Sequence, residues 1–344
     1  MGAKRVGVCI FNSNIDIFIN RKIESKIIKY RGIIYVHNTL QNIVNNIEKV
    51  IVGKREVIEL TVIALAAEGH VLIEDIPGIG KTTLVKALAK SLDLSFGRIQ
   101  CTPDVLPSDI TGFNMFNIKS GEMEYKEGLI FNNIILTDEI NRASPKTQSS
   151  LLEVMEEKQV TIDGKTRKVP DPFMLLATQN PIEYLGTFPL PEAQLDRFMF
   201  RISLGYPSYR HEFFMIDKVI KEEAIEHIES VATPDEMLKI QKEVKEIYIS
   251  DAIKKYVLDI VTATRRNNDL VLGASPRASL QLLKAAQAAA YYMGRDYVIP
   301  DDIQKLANCV LSHRIILKPE AKVKEIKQEQ IITNVIRTVK VPVE

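Results

Sequence analysis

Asp75-Ile76-Pro77-Gly78-Ile79-Gly80-Lys81-Thr82-Thr83 stands between a short apolar run, His70–Asp75, and an amphipathic stretch, Lys81–Leu92. A buried strand that turns through glycines into a helix constrains this chain more than any other segment. Gly78 and Gly80 let backbone amides approach and wrap an anion. The helix N-terminus adds unpaired N–H groups and a partial positive charge. Lys81 would reach the β- and γ-phosphates of a nucleotide, and Thr82 would ligate Mg²⁺. The strict GxxxxGK[ST] pattern opens on glycine, whereas this chain has Asp75 there. The plain alternative is an ordinary glycine-rich turn. The strand before the Pro-Gly-x-Gly-Lys-Thr core and the helix after it weigh against that.

Further apolar runs at Arg98–Cys101, Ile134–Asp138, Met174–Thr178 and Met199–Ser203 predict strands. They alternate with helical patterns at Glu56–Glu68, Lys81–Leu92 and Pro145–Lys158, and such alternation predicts a parallel α/β sheet covered on both faces. Asp163-Gly164 within Val160–Val169 predicts a two-residue hairpin. Beyond Pro207 the strand signal stops. Helices are expected at Tyr209–Ile228, Pro234–Ile247, Ala252–Asn267, Pro276–Met293 and Pro300–Leu311. The expected division is therefore a non-periodic segment at 1–34, a nucleotide-binding core at 35–207, a helical lid at 208–317 and a polar tail with one helix at 318–344. Residues 1–34 carry seven basic residues against two acids. They read either as an arm for an acidic partner or, more plainly, as an upstream start with disordered or non-native residues.

Ile134–Asp138 ends in two carboxylates, Asp138 and Glu139. Paired with the phosphate loop, Asp138 would hold the water shell of Mg²⁺ and Glu139 would orient and polarise an attacking water. Asn180, at the end of the next strand, could bond a γ-phosphate or that water, or simply form a turn before Pro181. Arg197 follows a short helix opened by Pro191. It could be a cation supplied to a neighbour's nucleotide or a surface ion pair. Ser275-Pro276-Arg277 reads as an N-cap, a proline at the first helical position and an arginine on the first turn. Arg277 could fold over the phosphates or stay solvated.

Together these residues resemble the MoxR family of AAA+ ATPases. The likeness runs from about Thr39 to Lys340, through HVLIEDIPGIGKT, TPDVLPSDITG, LTDEINRASPKTQSSLLEVMEEKQVTIDG, ATQNPIEYLGTFPLPEAQLDRF and LGASPRASL. Asp75 in place of the first glycine is common in that family. The resemblance implies a three-layer αβα core with a parallel sheet, followed by an all-α lid domain. It places Pro77, Gly78, Ile79, Gly80, Lys81, Thr82 and Thr83 in the Walker A loop and Asp138 and Glu139 in Walker B. Asn180 becomes sensor 1, Arg197 the trans-acting arginine finger and Arg277 sensor 2, expected to act on its own subunit's nucleotide. Val52-Gly53 would touch adenine. Leu106–Phe131 would be the inserted helix-2 hairpin and Gln159–Val169 the pre-sensor-1 hairpin, both facing a central pore. At Gly128-Leu129-Ile130-Phe131 the chain departs from relatives, which often carry Gly-Pro before Ile-Phe.

The implied activity is Mg²⁺-dependent hydrolysis of ATP by a ring, a homo-hexamer, that acts as a chaperone-like remodeller in complex maturation or metal-cofactor insertion. Its partner would be a von Willebrand factor A domain protein on a separate chain. The client stays unidentified. Two other classes share parts of this pattern. A metal-chelatase motor subunit of tetrapyrrole synthesis is disfavoured by the missing longer insertions and the GASPRA ending. A nucleic-acid remodeller is disfavoured by the near-zero net charge, +1, and by a hairpin whose cations, Lys165, Arg167 and Lys168, are few and which holds no aromatic residue of its own for stacking. Cys9, Cys101 and Cys309 lie far apart without metal-ligand spacing, which predicts free thiols in a reducing compartment, the cytoplasm. No apolar run approaches the roughly 18–20 residues of a membrane helix.

Overall fold

A computed structural model describes residues 39–180, 186–213 and 228–342. The segment 1–34 and most of the helix expected at Tyr209–Ile228 lie outside the described residues.

Among the described residues nine strands precede residue 203: β1 (Val71–Glu74), β2 (Phe96–Gln100), β3 (Gly112–Asn117), β4 (Glu122–Glu127), β5 (Ile134–Asp138), β6 (Gln159–Ile162), β7 (Lys165–Lys168), β8 (Met174–Gln179) and β9 (Phe200–Ile202). Five of them form one sheet in the order β2-β5-β8-β1-β9, every pair parallel. Their apolar runs are continuous because both faces are covered. Val71 and Ile73 join Leu136 and Leu176 under the helices at 39–48, Arg55–Ala66 and Lys81–Ser91. Leu72, Ile135 and Leu175 point the other way, against Leu151, Leu152 and Met155 of Pro145–Glu157. Side-chain alternation along each strand therefore builds a three-layer core. The chain leaves β1 through Lys81–Ser91, passes over two strands to β2 and later returns to β9 on the other side of β1. The phosphate loop sits at the C-terminal edge of β1, where the strand order reverses and open α/β sheets bind their ligands.

Two antiparallel hairpins stand off the sheet. β6 and β7 turn through Asp163 (φ 49°) and Gly164 (φ 74°), the paired positive φ of a tight hairpin turn. β3 and β4 form the other hairpin, after the short helix Pro107–Thr111. Its base closes at Gly128, where an added Cβ would lie 2.2 Å from the Ile110 carbonyl oxygen. The hairpins are tied to each other, since Arg167 lies 3.7 Å from the Tyr125 ring centroid and Asn114 Nδ2 donates to Asp163 Oδ2 at 2.5 Å.

Helices Pro234–Lys245, Asp251–Arg265, Pro276–Tyr292 and Pro300–Leu311 follow. Thr233, Ser250 and Ser275 cap three of them with side-chain oxygens. Between them the structure adds one short antiparallel pair, Leu270–Leu272 with Ile316–Leu317, too brief to carry a sequence period. Among the described residues the tail holds two helices rather than the one expected, Pro319–Val323 and Gln328–Thr338. The second buries Ile331, Ile332 and Val335, a stripe diluted by the polar composition around it. Among the described residues no helix is long and apolar enough to cross a membrane.

Candidate functional site

Gly78 (φ 85°) and Gly80 (φ 92°) turn the loop through the left-handed region, and Gly80 heads the helix Lys81–Ser91 with no side-chain cap. The first-turn N–H groups of that helix are thus left to an anion. Lys81 Nζ donates to the Asp75 carbonyl oxygen at 2.9 Å, so the lysine folds across its own loop. Burial pushes its ammonium down from the usual lysine range, with Asp75, Asp138 and Glu139 pulling the other way. A cavity of about 360 Å³ opens here. It is lined by Pro77, Gly78, Gly80, Lys81, Thr82 and Thr83 of the loop and by Arg98, Gln100, Asp138, Glu139 and Thr178 from the neighbouring strands. Ile79 turns instead toward the apolar core.

The structure also shows what Asp75 does in place of a glycine. Its carboxylate accepts from Ser203 Oγ and Gly205 N, each at 3.1 Å, and from Leu204 N. The first residue of the loop is thereby anchored to the segment that leaves β9. A glycine could not make that bond.

β5 delivers Asp138 and Glu139 to the same cavity. Asp138 is buried at the strand end. Its Oδ2 accepts from Arg98 Nε at 2.7 Å and its Oδ1 from Thr178 Oγ1 at 3.3 Å. The Thr178 oxygen in turn accepts from Glu139 N at 2.9 Å, so one hydroxyl aligns both acids. Glu139 itself takes a left-handed conformation (φ 55°), and its Oε2 lies 2.8 Å from Arg142 Nη1. Arg98, Thr178 and Arg142 were not among the residues singled out by sequence. An arginine on an alternating strand and a threonine in an apolar run carry no local signal of a shared carboxylate.

Asn180 follows β8 and is buried. Val52-Gly53 forms a turn (Gly53 φ 73°) so close to His211 that an added Cβ would lie 2.0 Å from the imidazole Nδ1. Ile51 beside it is the nearest side chain to a Cβ built on Gly80, at 3.9 Å. The turn therefore adjoins the phosphate loop.

Arg197 and Arg277 meet elsewhere. Arg277 Nη2 lies 2.8 Å from Glu156 Oε1, and Arg197 Nε lies 3.2 Å from Glu156 Oε2. Neither arginine is among the residues that line the phosphate-loop cavity. The lid's anchor sets this placement. Ser275 Oγ donates to Asp196 Oδ2 at 3.0 Å and Arg314 Nε donates to Asp196 Oδ1 at 2.7 Å, which fixes the start of Pro276–Tyr292 beside the residue preceding Arg197.

A glycine-rich loop on the central strand, an acidic strand end beside it and a helical lid define a nucleotide-binding protein of the AAA ATPase class. The family model described as "ATPase family associated with various cellular activities (AAA)" matches residues 70–200, and the AAA lid domain model matches 262–335. The chain is 52% identical to YeaC of Bacillus subtilis over 90% of its length and 97% of that protein's. It is 40% identical to "Chaperone MoxR1" of Mycobacterium tuberculosis, covering 89% of this chain and 83% of the relative. A solved protein of Cytophaga hutchinsonii, described as a candidate ATPase, superposes with TM-score 0.87 at 40% identity, over 93% of this chain and all of that one. The chain belongs to the MoxR family of AAA+ ATPases.

Proposed function

We propose that this protein hydrolyses ATP with Mg²⁺ at the phosphate-loop cavity and works as a ring-forming remodeller of chaperone type. The carrying observation is the convergence of Lys81, Thr82, Asp138 and Glu139 on one cavity at the C-terminal edge of the sheet. In this reading 35–207 is the working core, 208–317 the lid and 318–344 the tail.

The donor set suits Mg²⁺, since the Thr82 hydroxyl and the Asp138 carboxylate both line the cavity and are hard oxygen donors. When bound, the ion would neutralise phosphate charge and polarise the phosphoryl group. The chain's own residues do the rest. First-turn N–H groups and Lys81 hold the phosphates, and Thr178 keeps Asp138 and Glu139 aligned. Glu139, once turned from Arg142, orients a water and takes its proton. Asn180 steadies that water or the γ-phosphate. Arg197 and Arg277, held side by side and partly exposed on Glu156, would serve a neighbour's phosphates in a ring, with six subunits as the expected number.

The similarity to a protein named a chaperone supports the remodelling role. In this reading the partner is a von Willebrand factor A domain protein, and the outcome is maturation or metal-cofactor insertion. Free thiols fit a cytoplasmic setting. Burial pushes Cys101 and Cys309 up to about 12, which keeps both protonated. The test is a Glu139→Gln trap incubated with ATP and captured from a lysate. The reading expects ring, von Willebrand partner and client to come down together, dependent on ATP. Parental turnover in Glu139→Gln would sink it.

A further inference from the structure

Arg98 lines the same cavity as the phosphate loop but comes from a different strand, β2. Its Nε donates to Asp138 Oδ2 at 2.7 Å, and its Nη2 donates to Gln100 Oε1 at 3.1 Å. β2 and β5 pair with Gln100 opposite Asp138. Arg98 lies two residues earlier on the same face, so its side chain runs along the strand edge to reach the carboxylate.

The pair is asymmetric. The side chain of Asp138 is 10% exposed and that of Arg98 is 50% exposed. The carboxylate is fixed at a strand end, with its other oxygen accepting from Thr178. The guanidinium sits on a long stem that can swing into solvent. A buried carboxylate needs a counter-ion. Among the described residues, Arg98 is the cation within ion-pair distance of Asp138. Asp138 is also the carboxylate assigned above to the metal end of the site, and one carboxylate cannot keep a guanidinium on Oδ2 and admit a divalent cation alongside it without strong repulsion between the two positive charges.

We propose that Arg98 is an exchangeable counter-ion. It holds Asp138 while the site is metal-free and is displaced when metal and nucleotide arrive together, its guanidinium then swinging toward solvent. This rests on the reading of Asp138 as the metal-side carboxylate. Arg98 is a positioning residue in this scheme, because it acts through Asp138. The exchange has a consequence that a merely structural ion pair lacks. Arg98 adds positive charge to the cavity, which helps a metal-free nucleotide, yet competes for Asp138, which opposes the metal.

The experiment measures the two affinities separately in the full chain. A fluorescent ATP analogue is titrated in EDTA, and Mn²⁺ binding to the ADP complex is followed by electron paramagnetic resonance. Arg98→Gln should weaken metal-free analogue binding and tighten Mn²⁺ binding, each by roughly tenfold, as expected for loss of one half-solvated charge. Arg98→Lys should keep the first affinity near the parent's. A fall in both affinities would mark Arg98 as structural, and no change in either would mark a surface ion pair; both outcomes overturn the proposal. Lys81→Ala is the control for the underlying site. A parent that binds the analogue only when Lys81 is present upholds the site whatever Arg98 does. A parent that binds no nucleotide overturns the site reading and this inference with it.

Discussion

Arg197 and Arg277 grip opposite oxygens of one carboxylate, Glu156, at 3.2 and 2.8 Å. One arginine comes from the core, directly after the short helix Glu192–Leu195, and the other from the first turn of Pro276–Tyr292. Glu156 holds two like charges side by side that would otherwise repel. They form a single cationic edge, away from the cavity that contains Lys81.

If that edge serves a neighbour, both arginines should complement in the same way. Arg197→Ala and Arg277→Ala should each bind ATP nearly normally and hydrolyse it slowly. Fingers of this kind contribute on the order of 10³–10⁵ in rate in other phosphoryl-transfer enzymes. Each inactive variant should regain partial activity when its subunits are exchanged with inactive Lys81→Ala subunits, because an intact arginine then meets a neighbour's intact loop. An Arg277 acting on its own subunit predicts recovery for Arg197→Ala and none for Arg277→Ala.

Lys81→Ala should abolish ATP binding, since it removes the ammonium that folds across the loop. Glu139→Gln should bind ATP like the parent and turn over about 10²–10⁴ times more slowly, the range of a lost general base. Equilibrium binding beside steady-state phosphate release checks both. Equal loss of binding in the two variants would remove the distinction between holding and activating.

The parallel sheet is legible in the sequence because strands covered on both faces become unbroken apolar runs such as Ile134–Leu136 and Met174–Ala177. The phosphate loop is legible because its glycines, lysine and threonines are contiguous. What a linear reading hides is who meets whom across the sheet. Arg98 and Asp138 are forty positions apart and meet only through the β2–β5 register. Glu156 reads as a solvated helix residue until the lid brings Arg277 to it. A Ser-Pro-Arg helix start locates Arg277 on its own helix but says nothing of where that helix docks. That depends on Asp196 and Arg314, which lie far from it in the chain.

Arg314 is the buried hub of that docking. Its side chain is 1% exposed, and it donates to the Asp196 carboxylate and to the carbonyls of Asp196, Phe198, Met199 and Val310. Arg314→Leu leaves Asp196 without that partner and strands several carbonyls, which should destabilise the protein by about 3–5 kcal/mol. Urea unfolding checks the stability. Because the same cluster places Arg277, the variant should also lower ATP turnover under conditions where it remains folded. A change below about 1 kcal/mol would show that water replaces these bonds freely.

His70 supplies a pH test of the core. Its Nδ1 accepts from Leu175 N at 3.0 Å and its Nε2 lies 3.0 Å from the Met155 carbonyl oxygen, a pattern that suits one neutral tautomer. Burial lowers its pKa from the ordinary 6.5 to about 4, with the hydrogen bond to Met155 working against this and Lys158 adding to it. The unfolded chain takes up the proton near pH 6.5, which the folded chain refuses until about pH 4. The associated stability is therefore complete above pH 6.5 and falls as the pH drops toward 4. Between pH 7.5 and 5 the loss from this one group should be roughly 2 kcal/mol. His313, buried and also held well below the usual range, moves stability in the same direction. Urea titrations at the two pH values should show the parent losing stability on acidification. His70→Gln, which can still accept from Leu175 N and donate to Met155 O, should lose about 2 kcal/mol less over the same interval even if it starts lower. An identical pH dependence in parent and variant would mean that His70 ionises freely in the folded protein.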